Sequence, residues 1–593
     1  MQVFFLFFQK KFTPSPKALF SGFVNLRFLL YNERITMKVY TDLQRVLHTE
    51  LLKERQVSPM SAKRRPSKNS TTPRSFPNAH WQHLVFAAIF LIGLFARAWQ
   101  FGTIPGDINQ DEAFAGYEAL SLLRHGTDSF GYRLPVYLTA WGSGMNVLNS
   151  LLMIPFMAIF GAKTWVLRLP QLLVALFTLP AVYGIGRRIR DEKLGLCMMF
   201  LTAVAPWHIM LARWGLESNL APGFLIFGLF FFLKGLEKPR FLMLSALMYG
   251  LSLYCYATIW PFVPLMLALE LAYSIYYKKL RIQKESIAAA AILFVLALPL
   301  LLFLLVNKGI LEEIRTPFFS IPKLLYMRAD ELSLSNLGDN LQNLLQIIGS
   351  GQDGLPWNSI EGFGIFYPVS LIFAGIGLIL SIWRLIQGFR KKEMAGETFL
   401  LINFIGGFLL GLLINVNINR VNSLWLPMIF LAAYAIYEIC QRINPWTFLV
   451  PLVIYSVLFV QFEKTYFTQY ASDIEGYFCK GLEQAVDAAM ESAGDNGIIY
   501  CASGANYARV LFYSEQDSVE YRNTVQYTNY PSAFLDVSSF GRFRFSFDAS
   551  SPQVLDPQGT YLLDSSYDSS VFEQAGYSLQ FYDYFVVATP SQP

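Results

Sequence analysis

Two adjacent carboxylates, Asp111 and Glu112, stand a few residues beyond the first long apolar run, in Pro105-Gly106-Asp107-Ile108-Asn109-Gln110-Asp111-Glu112, and a helix-like stretch follows through Gly116 and Tyr117 to Leu123. Neighbouring side chains do not share a helix face, so the two acids can hold different roles. They can equally cap a helix N-terminus, where the macrodipole favours negative charge. Three more polar segments adjoin apolar runs. Arg168-Leu169-Pro170 offers a cation that could meet a lipid phosphate or simply snorkel to the surface. Pro206-Trp207-His208 leads to Arg213-Trp214-Gly215-Leu216-Glu217-Ser218-Asn219, where Arg213 and Glu217 belong either to a site or to a local i,i+4 pair. In Asn415-Val416-Asn417-Ile418-Asn419-Arg420-Val421-Asn422 the amides, Asn417 and Asn419 among them, crowd one cation, Arg420, which suits an oxyanion or sugar hydroxyls better than plain solvation. Ionisable groups beside hydrocarbon are costly without a purpose. This inventory suits a reaction on an anionic, lipid-linked substrate: cations for a phosphate, a carboxylate to take a proton, and amides and aromatics for a polar ring.

The elements that must position these residues follow from composition. Of 593 residues 54% are hydrophobic and 15% charged, too little charge for the solvated surface of a soluble protein of this length. Runs near the twenty residues that cross a bilayer recur along the chain. Eleven spans are predicted, at about 82–100, 168–186, 194–211, 219–233, 241–259, 261–277, 287–306, 364–383, 398–414, 424–440 and 446–462. Alternate connectors, 187–193, 234–240, 278–284, 384–393 and 441–445, hold 16 basic residues in 36 positions, against 9 in 140 for 101–167, 212–218, 307–363 and 415–423. The positive-inside rule makes the first set cytoplasmic and puts all four polar segments on the outer face. Residues 146–160 are apolar but short and broken by Pro155, and as a span they would invert every later loop. They read as a juxtamembrane or re-entrant helix.

The net charge of +5 hides regions of opposite sign: residues 1–80 hold 14 Lys or Arg against 4 acids, and 463–593 hold 6 against 17. Residues 1–80 read as a basic cytoplasmic arm, disordered over 53–74 and near anionic lipid, with Met37 the expected translation start. Residues 81–462 form the membrane domain, with outer loops 101–167 and 307–363. Residues 463–593 read as a small extracytoplasmic α/β domain: a helix over Gly481 to Ser492, a strand over Ile498 to Cys501, and strand-like runs at Arg509 to Tyr513, Thr560 to Leu563 and Phe581 to Ala588. No acid/base pair stands out there, so chemistry is expected elsewhere. Cys479 and Cys501, the only pair in that domain, are either a disulfide or two buried thiols. No CxxC or His-rich spacing suggests a structural zinc site.

The chain resembles the GT-C superfamily of integral-membrane glycosyltransferases, in particular the branch of the dolichyl-phosphate-mannose protein mannosyltransferases and the bacterial aminoarabinose transferases of lipid A (glycosyltransferase family 39-like). The acidic pair with Gly116-Tyr117, the Gly161 and Arg168-Leu169-Pro170 segment, the Arg213 to Glu217 motif and, weakly, Asn415 to Pro427 carry the resemblance, under half the chain. Where the protein mannosyltransferases have an aspartate after the arginine, this chain has Glu217. Residues 307–363 are too few for the beta-trefoil domain of eukaryotic members, which favours a bacterial-type enzyme in the plasma membrane. The resemblance implies a mainly α, polytopic GT-C bundle that moves a sugar, with inversion, from a polyprenyl-phosphate donor to an acceptor hydroxyl on protein, lipid or wall polymer. Asp111 would be the base, with Asp107 the alternative. Glu112 would orient the acceptor or an arginine, and Arg168, Arg213 or Arg420 would stabilise the leaving phosphate. No cofactor is required, a divalent cation is possible but not indicated, and nucleic acid is not a partner. The loop 307–363 is either a lid or a spacer. The competing classes are a transporter or flippase of a lipid-linked sugar, which would show repeated halves and ionisable groups at midmembrane depth, and a non-catalytic envelope scaffold.

Overall fold

The computed structural model describes residues 80–327 and 335–590. The basic arm and the expected start at Met37 lie outside the described residues. Among the described residues eight helices are long and apolar enough to cross a membrane. They include α1 (His80–Ala98), α4 (Thr164–Ile189), α7 (Ala221–Glu237), α9 (Ile259–Tyr276), α10 (Lys284–Asn307), α12 (Val369–Lys391), α14 (Asn422–Ile443) and α15 (Leu449–Thr465). Two expected spans are shorter helices, α8 (Phe241–Ser252) and α13 (Thr398–Leu413). The single span expected over 194–211 is instead α5 (Glu192–Val204) and α6 (Pro206–Met210), the second running on to Arg213, with a bend of 67° between them. Pro206 is the cause: it lacks an N–H and drives Ala205 to an extended conformation, φ −68° and ψ 124°. The expected span at 364–383 begins late, at Val369, because 364–368 is loop. Residues 148–160 form α3 (Leu148–Phe160), 13 residues containing Pro155 and too short to cross a bilayer.

Helix α14 is the hub, buried along almost its whole length, whereas α1, α10, α12 and α15 leave most of their apolar side chains uncovered. Leu84, Leu91 and Phe95 on α1, and Ile372, Ile379 and Ile382 on α12, face away from the protein. Continuous apolar faces of this kind require hydrocarbon as their solvent, and the chain is a membrane protein. Small residues allow the closest crossings. A Cβ on Gly377 of α12 would lie 1.9 Å from the Leu431 carbonyl oxygen on α14, so the two backbones touch.

At one end of the bundle lies a second layer. Helix α2 (Gln110–His125) shares a hydrophobic core with the C-terminal residues: Ala113, Phe114, Tyr117 and Leu120 pack with Val510, Leu511, Phe512 and Val587. Gly116 makes this approach possible, since a Cβ there would lie 2.9 Å from the Phe512 ring and 2.8 Å from Leu167. The C-terminal residues build a seven-stranded mixed sheet from β5 (Ile499–Cys501), β6 (Gln526–Tyr527), β7 (Val537–Phe540), β8 (Phe543–Arg544), β9 (Thr560–Asp564), β10 (Tyr577–Tyr582) and β11 (Phe585–Pro590), in the order β10-β11-β9-β5-β8-β7-β6, with β5 parallel to β8 and β9. Helix α16 (Leu482–Ala493) and β5 form the expected helix-strand step. Two strand expectations are corrected. Arg509 to Tyr513 belongs to helix α17 (Tyr507–Tyr513), whose first turn is capped by Asn506; a short apolar run carries no periodicity long enough to tell helix from strand. Phe581 to Ala588 is not one strand but parts of β10 (Tyr577–Tyr582) and β11 (Phe585–Pro590), an antiparallel hairpin that turns at Asp583 and Tyr584. All five cysteines are free thiols, Cys479 and Cys501 included.

Beneath this layer Glu118 is fully buried and accepts hydrogen bonds from the Ser129 amide and hydroxyl. Asp128 beside it accepts from the Phe130 and Tyr132 amides and the Thr139 hydroxyl. Burial, reinforced by the Asp128 charge, pushes Glu118 up to about 8. Burial likewise raises Asp128.

Two outcomes follow from this packing. Gly377→Val should force α12 from α14 and lower the thermal midpoint in detergent, at an overpacking cost of about 1–3 kcal/mol; an unchanged midpoint would mean the helices do not touch there. Because the folded state retains the Glu118 proton after the unfolded chain has released it, stability should fall as pH rises from near 4.5 to about 8. Thermal midpoints measured across that window should decline in the wild type and stay flatter in Glu118→Gln.

Candidate functional site

The segment between α1 and α2 is fixed by one buried ion pair. Asn109 caps α2, accepting from the Asp111 amide at 3.0 Å, and its own amide donates to Glu112 Oε2 at 3.0 Å. This is a capping box, in which the glutamate three residues into the helix reaches back to the cap. Glu112 is fully buried, and both its oxygens also accept from Arg168, Oε1 from Nε at 2.8 Å and Oε2 from Nη2 at 3.0 Å. The Gly215 amide donates to Oε1 as well. Arg168, near the start of α4, gives its remaining hydrogens to the carbonyls of Pro105 at 2.8 Å, Gly106 at 3.3 Å and Asp107 at 2.8 Å. All five guanidinium donors are thereby used.

Arg213 is equally occupied. It donates to the carbonyls of Ala96, Arg97, Trp99, Gln100 and Ile104 and to the Tyr466 hydroxyl, closing the C-terminal end of α1, where orphan carbonyls and the macrodipole favour a cation. The Tyr466 and Phe467 rings flank it at 5.1 and 5.2 Å. His208 sits in the same buried region, with Nδ1 2.6 Å from Arg97 Nη2. Arginine cannot accept, so Nδ1 is the acceptor and the imidazole proton is on Nε2. Asp107 points the other way: it accepts from the Glu483 amide at the start of α16, and burial raises its carboxyl. Arg168 and Arg213, expected at a phosphate, have no donor left for one, because main-chain carbonyls have claimed them. Glu112, Asp107 and His208 lie among these contacts and do not line the cavity formed by the remaining residues.

The other expected residues meet. Asp111, Glu217, Asn417, Asn419 and Arg420 line one cavity of about 400 Å³. Asp111 lines it from the first turn of α2, on a different side of the helix from Glu112, as the geometry of adjacent helix residues allows. Glu217 is held by the Asn146 amide, which donates to its Oε2. The Asn-rich turn is set by the Asn417 side chain, which accepts from the Arg420 amide at 2.8 Å, and by Asp353, which accepts from the Ile418 amide at 2.8 Å. Arg420 Nη1 donates to the Asn415 carbonyl at 3.3 Å, and Thr258 holds the Arg420 carbonyl at 3.0 Å.

Sequence reasoning missed the aromatic wall: Tyr137, Trp141, Tyr256, Trp260 and Trp357 line the same cavity. In sequence such residues read as the Trp and Tyr belt of a membrane interface. Tyr137 and Trp141 flank a hairpin of β1 (Tyr137–Leu138) and β2 (Met145–Asn146), whose Gly142 and Gly144 take φ of 100° and 79°. Residues 307–363 supply Leu324, Met327, Leu355 and Trp357, so this loop borders the cavity. The C-terminal sheet supplies Phe534, on a segment bonded to the hairpin through Ser143 to the Ala533 carbonyl and Leu535 to the Trp141 carbonyl. Among the described residues no three His, Cys, Asp or Glu side chains gather as a metal site would need.

The model of the family described as dolichyl-phosphate-mannose-protein mannosyltransferase matches residues 148–306. No curated protein sequence matches. Among solved structures, ArnT from Cupriavidus metallidurans bound to undecaprenyl phosphate matches with a TM-score of 0.55 at 12% identity, covering 87% of this chain and all of that one. The GT-C fold is the fold of this chain. The apo state of ArnT gives a TM-score of 0.52 at 11% identity, covering 86% of this chain and 98% of that one. The family match contains Arg168, Arg213, Glu217 and Trp260, whereas Asp111 and Arg420 lie outside it and reach the cavity only through the fold of the GT-C bundle.

The clamp should behave as structure rather than chemistry. Glu112→Ala or Arg168→Ala leaves a buried charge without its partner, at a cost of about 3–5 kcal/mol, and should abolish or sharply lower the yield of monodisperse protein in detergent. Asp111→Asn should keep the wild-type melting profile. Equal stability of Glu112→Ala and wild type would remove the clamp from this role.

Proposed function

We propose that the chain is an inverting glycosyltransferase that moves a sugar from a polyprenyl-phosphate donor to an acceptor hydroxyl on the extracytoplasmic side of the membrane. The observation that carries the proposal is the gathering, in one aromatic-walled cavity, of two carboxylates, Asp111 and Glu217, with Arg420 and the amides of Asn417 and Asn419. Support for the donor comes from the similar fold of ArnT, solved with undecaprenyl phosphate. Support for the side comes from the basic connectors, which lie at the opposite ends of the spans from these residues.

Asp111 accepts the proton of the acceptor hydroxyl, and the oxygen attacks the anomeric carbon on the face opposite the phosphate. The bond from that carbon to the phosphate oxygen breaks, its electron pair stays on the oxygen, and polyprenyl phosphate leaves. A phosphate is a weak base, so no strong general acid is needed. Positive charge from Arg420 meets the developing anion, with Asn417 and Asn419 as neutral donors. Of the three arginines considered from sequence, Arg420 alone lines the cavity. Glu217 and the Trp141, Trp260 and Trp357 rings suit the hydroxyls and faces of a sugar. Phe303, Leu324 and Met327 supply apolar surface for the first prenyl units. The reading requires no cofactor.

Membranes containing wild type, Asp111→Asn or Arg420→Ala at equal abundance, given a polyprenyl-phosphate sugar with a chelator present, form the test. Wild type should transfer sugar, and Asp111→Asn should lose about 10²–10⁴-fold in rate. Unchanged transfer in Asp111→Asn would remove that residue from the mechanism, and absence of transfer with any donor would overturn the enzyme reading.

A further inference from the structure

Behind the aromatic wall lies a second cavity, of about 280 Å³. It is just below the range of small-molecule pockets, about 300–1,000 Å³, and so has room for one sugar unit. The two cavities share thin walls. Along Tyr137 to Trp141, the end residues line the first cavity and Thr139 lines the second, because the chain leaves the extended conformation after Leu138 and turns, with Trp141 at a φ of 67°. Leu324 faces the first, and Lys323 and Leu325 the second. The C-terminal loop repeats the pattern, with Phe534 on one side and Tyr530 on the other.

The charges of the second cavity are not balanced by the protein. Arg315 is engaged, donating to Glu313 at 2.9 Å and lying 4.3 Å from the centre of the Tyr132 ring. Arg522 is different. Its guanidinium lies against Gly131, where a Cβ would come within 3.0 Å of Nη1, and that nitrogen is buried with no hydrogen-bond partner. Lys323 lines the same cavity, and its charge acts on the Glu313 carboxylate, which Arg315 already engages directly. A buried guanidinium nitrogen without an acceptor costs free energy. The acids nearby do not cancel these cations. Glu313 is shared by Arg315 and the Tyr132 hydroxyl, and the Asp128 oxygens are held by the cavity wall at Phe130, Tyr132 and Thr139. The Glu118 and Asp128 pair, raised by burial, carries less than its full charge at neutral pH. Tyr527 and Tyr530, stacked with centroids 5.8 Å apart, add aromatic faces of the kind that sugar rings pack against.

We propose that this second cavity is an acceptor subsite that binds the anionic substituent, phosphate or carboxylate, of a sugar through Arg522 and Lys323. A planar guanidinium fork matches the oxygens of either group, and the lysine adds a point charge. The acceptor role rests on the glycosyltransferase reading; the anion site does not. The acceptor role follows from the interleaved linings, in which Thr139 stands between Tyr137 and Trp141, and Lys323 and Leu325 stand beside Leu324.

The full chain in nanodiscs of zwitterionic lipid, titrated calorimetrically with glucose 6-phosphate, glucuronate and glucose, tests this directly. At least one of the two anions should bind saturably and glucose should not, with affinity at least tenfold weaker in Arg522→Gln and in Lys323→Gln. Thermal midpoints of both variants verify folding. Absence of saturable binding by either anion, or binding kept in Arg522→Gln, would overturn the proposal. Anion binding that survives in Asp111→Asn while transfer is lost supports both readings, and transfer without anion binding would overturn this one alone.

Discussion

The pair of Glu112 and Arg168 is the constraint on which the site depends. A carboxylate and a guanidinium removed from water are stable only when every lone pair and every N–H finds a partner, and here the count closes. That requirement ties together the segment after α1, the start of α2, the start of α4 and the turn at Gly215. Arg213 repeats the principle one layer deeper by closing the end of α1. The two buried arginines convert a stretch of irregular backbone at a bundle end into a rigid floor. Irregular backbone at such depth is tolerated only where other groups satisfy it.

On that floor the helix sets the direction of Asp111. Its neighbour Glu112 must face inward to reach Arg168, and one residue of helix turns Asp111 by about 100° toward the cavity. The opposite wall comes from far along the chain, from the Asn415 to Asn422 turn and from Phe534 of the C-terminal sheet. The sheet is therefore part of the site's architecture as well as a neighbour of α2, through a core that residues 113–120 and 510–512 build jointly.

Much of this was legible in the residue pattern. The eleven helical segments, the short helix at 148–160 and the helix-strand step at 482–501 follow from the length and period of apolar runs, which reflect local geometry and the solvent each face must meet. The four polar segments were recognisable because charge beside hydrocarbon is costly. The break at Ala205 and Pro206 was visible only as a proline, since apolarity continues through it, and α17 was mistaken for a strand because seven residues are too few to display a period. The aromatic wall was hidden for another reason: Tyr137, Trp141 and Trp260 look the same in sequence whether they face lipid headgroups or a cavity.

Sequence alone determined the class of protein, the ends of the bundle at which chemistry could occur, and the short list of ionisable groups available for it. Only the tertiary structure divided that list. Arg168, Arg213 and Arg420 are one residue type in similar settings, and composition gives no means of ranking them. The first two lie where main-chain carbonyls and a buried carboxylate saturate them, and the third lines a cavity. Which donors a guanidinium still has to give depends on the acceptors that chain packing brings to it from up to 253 residues away, and no local pattern encodes that count.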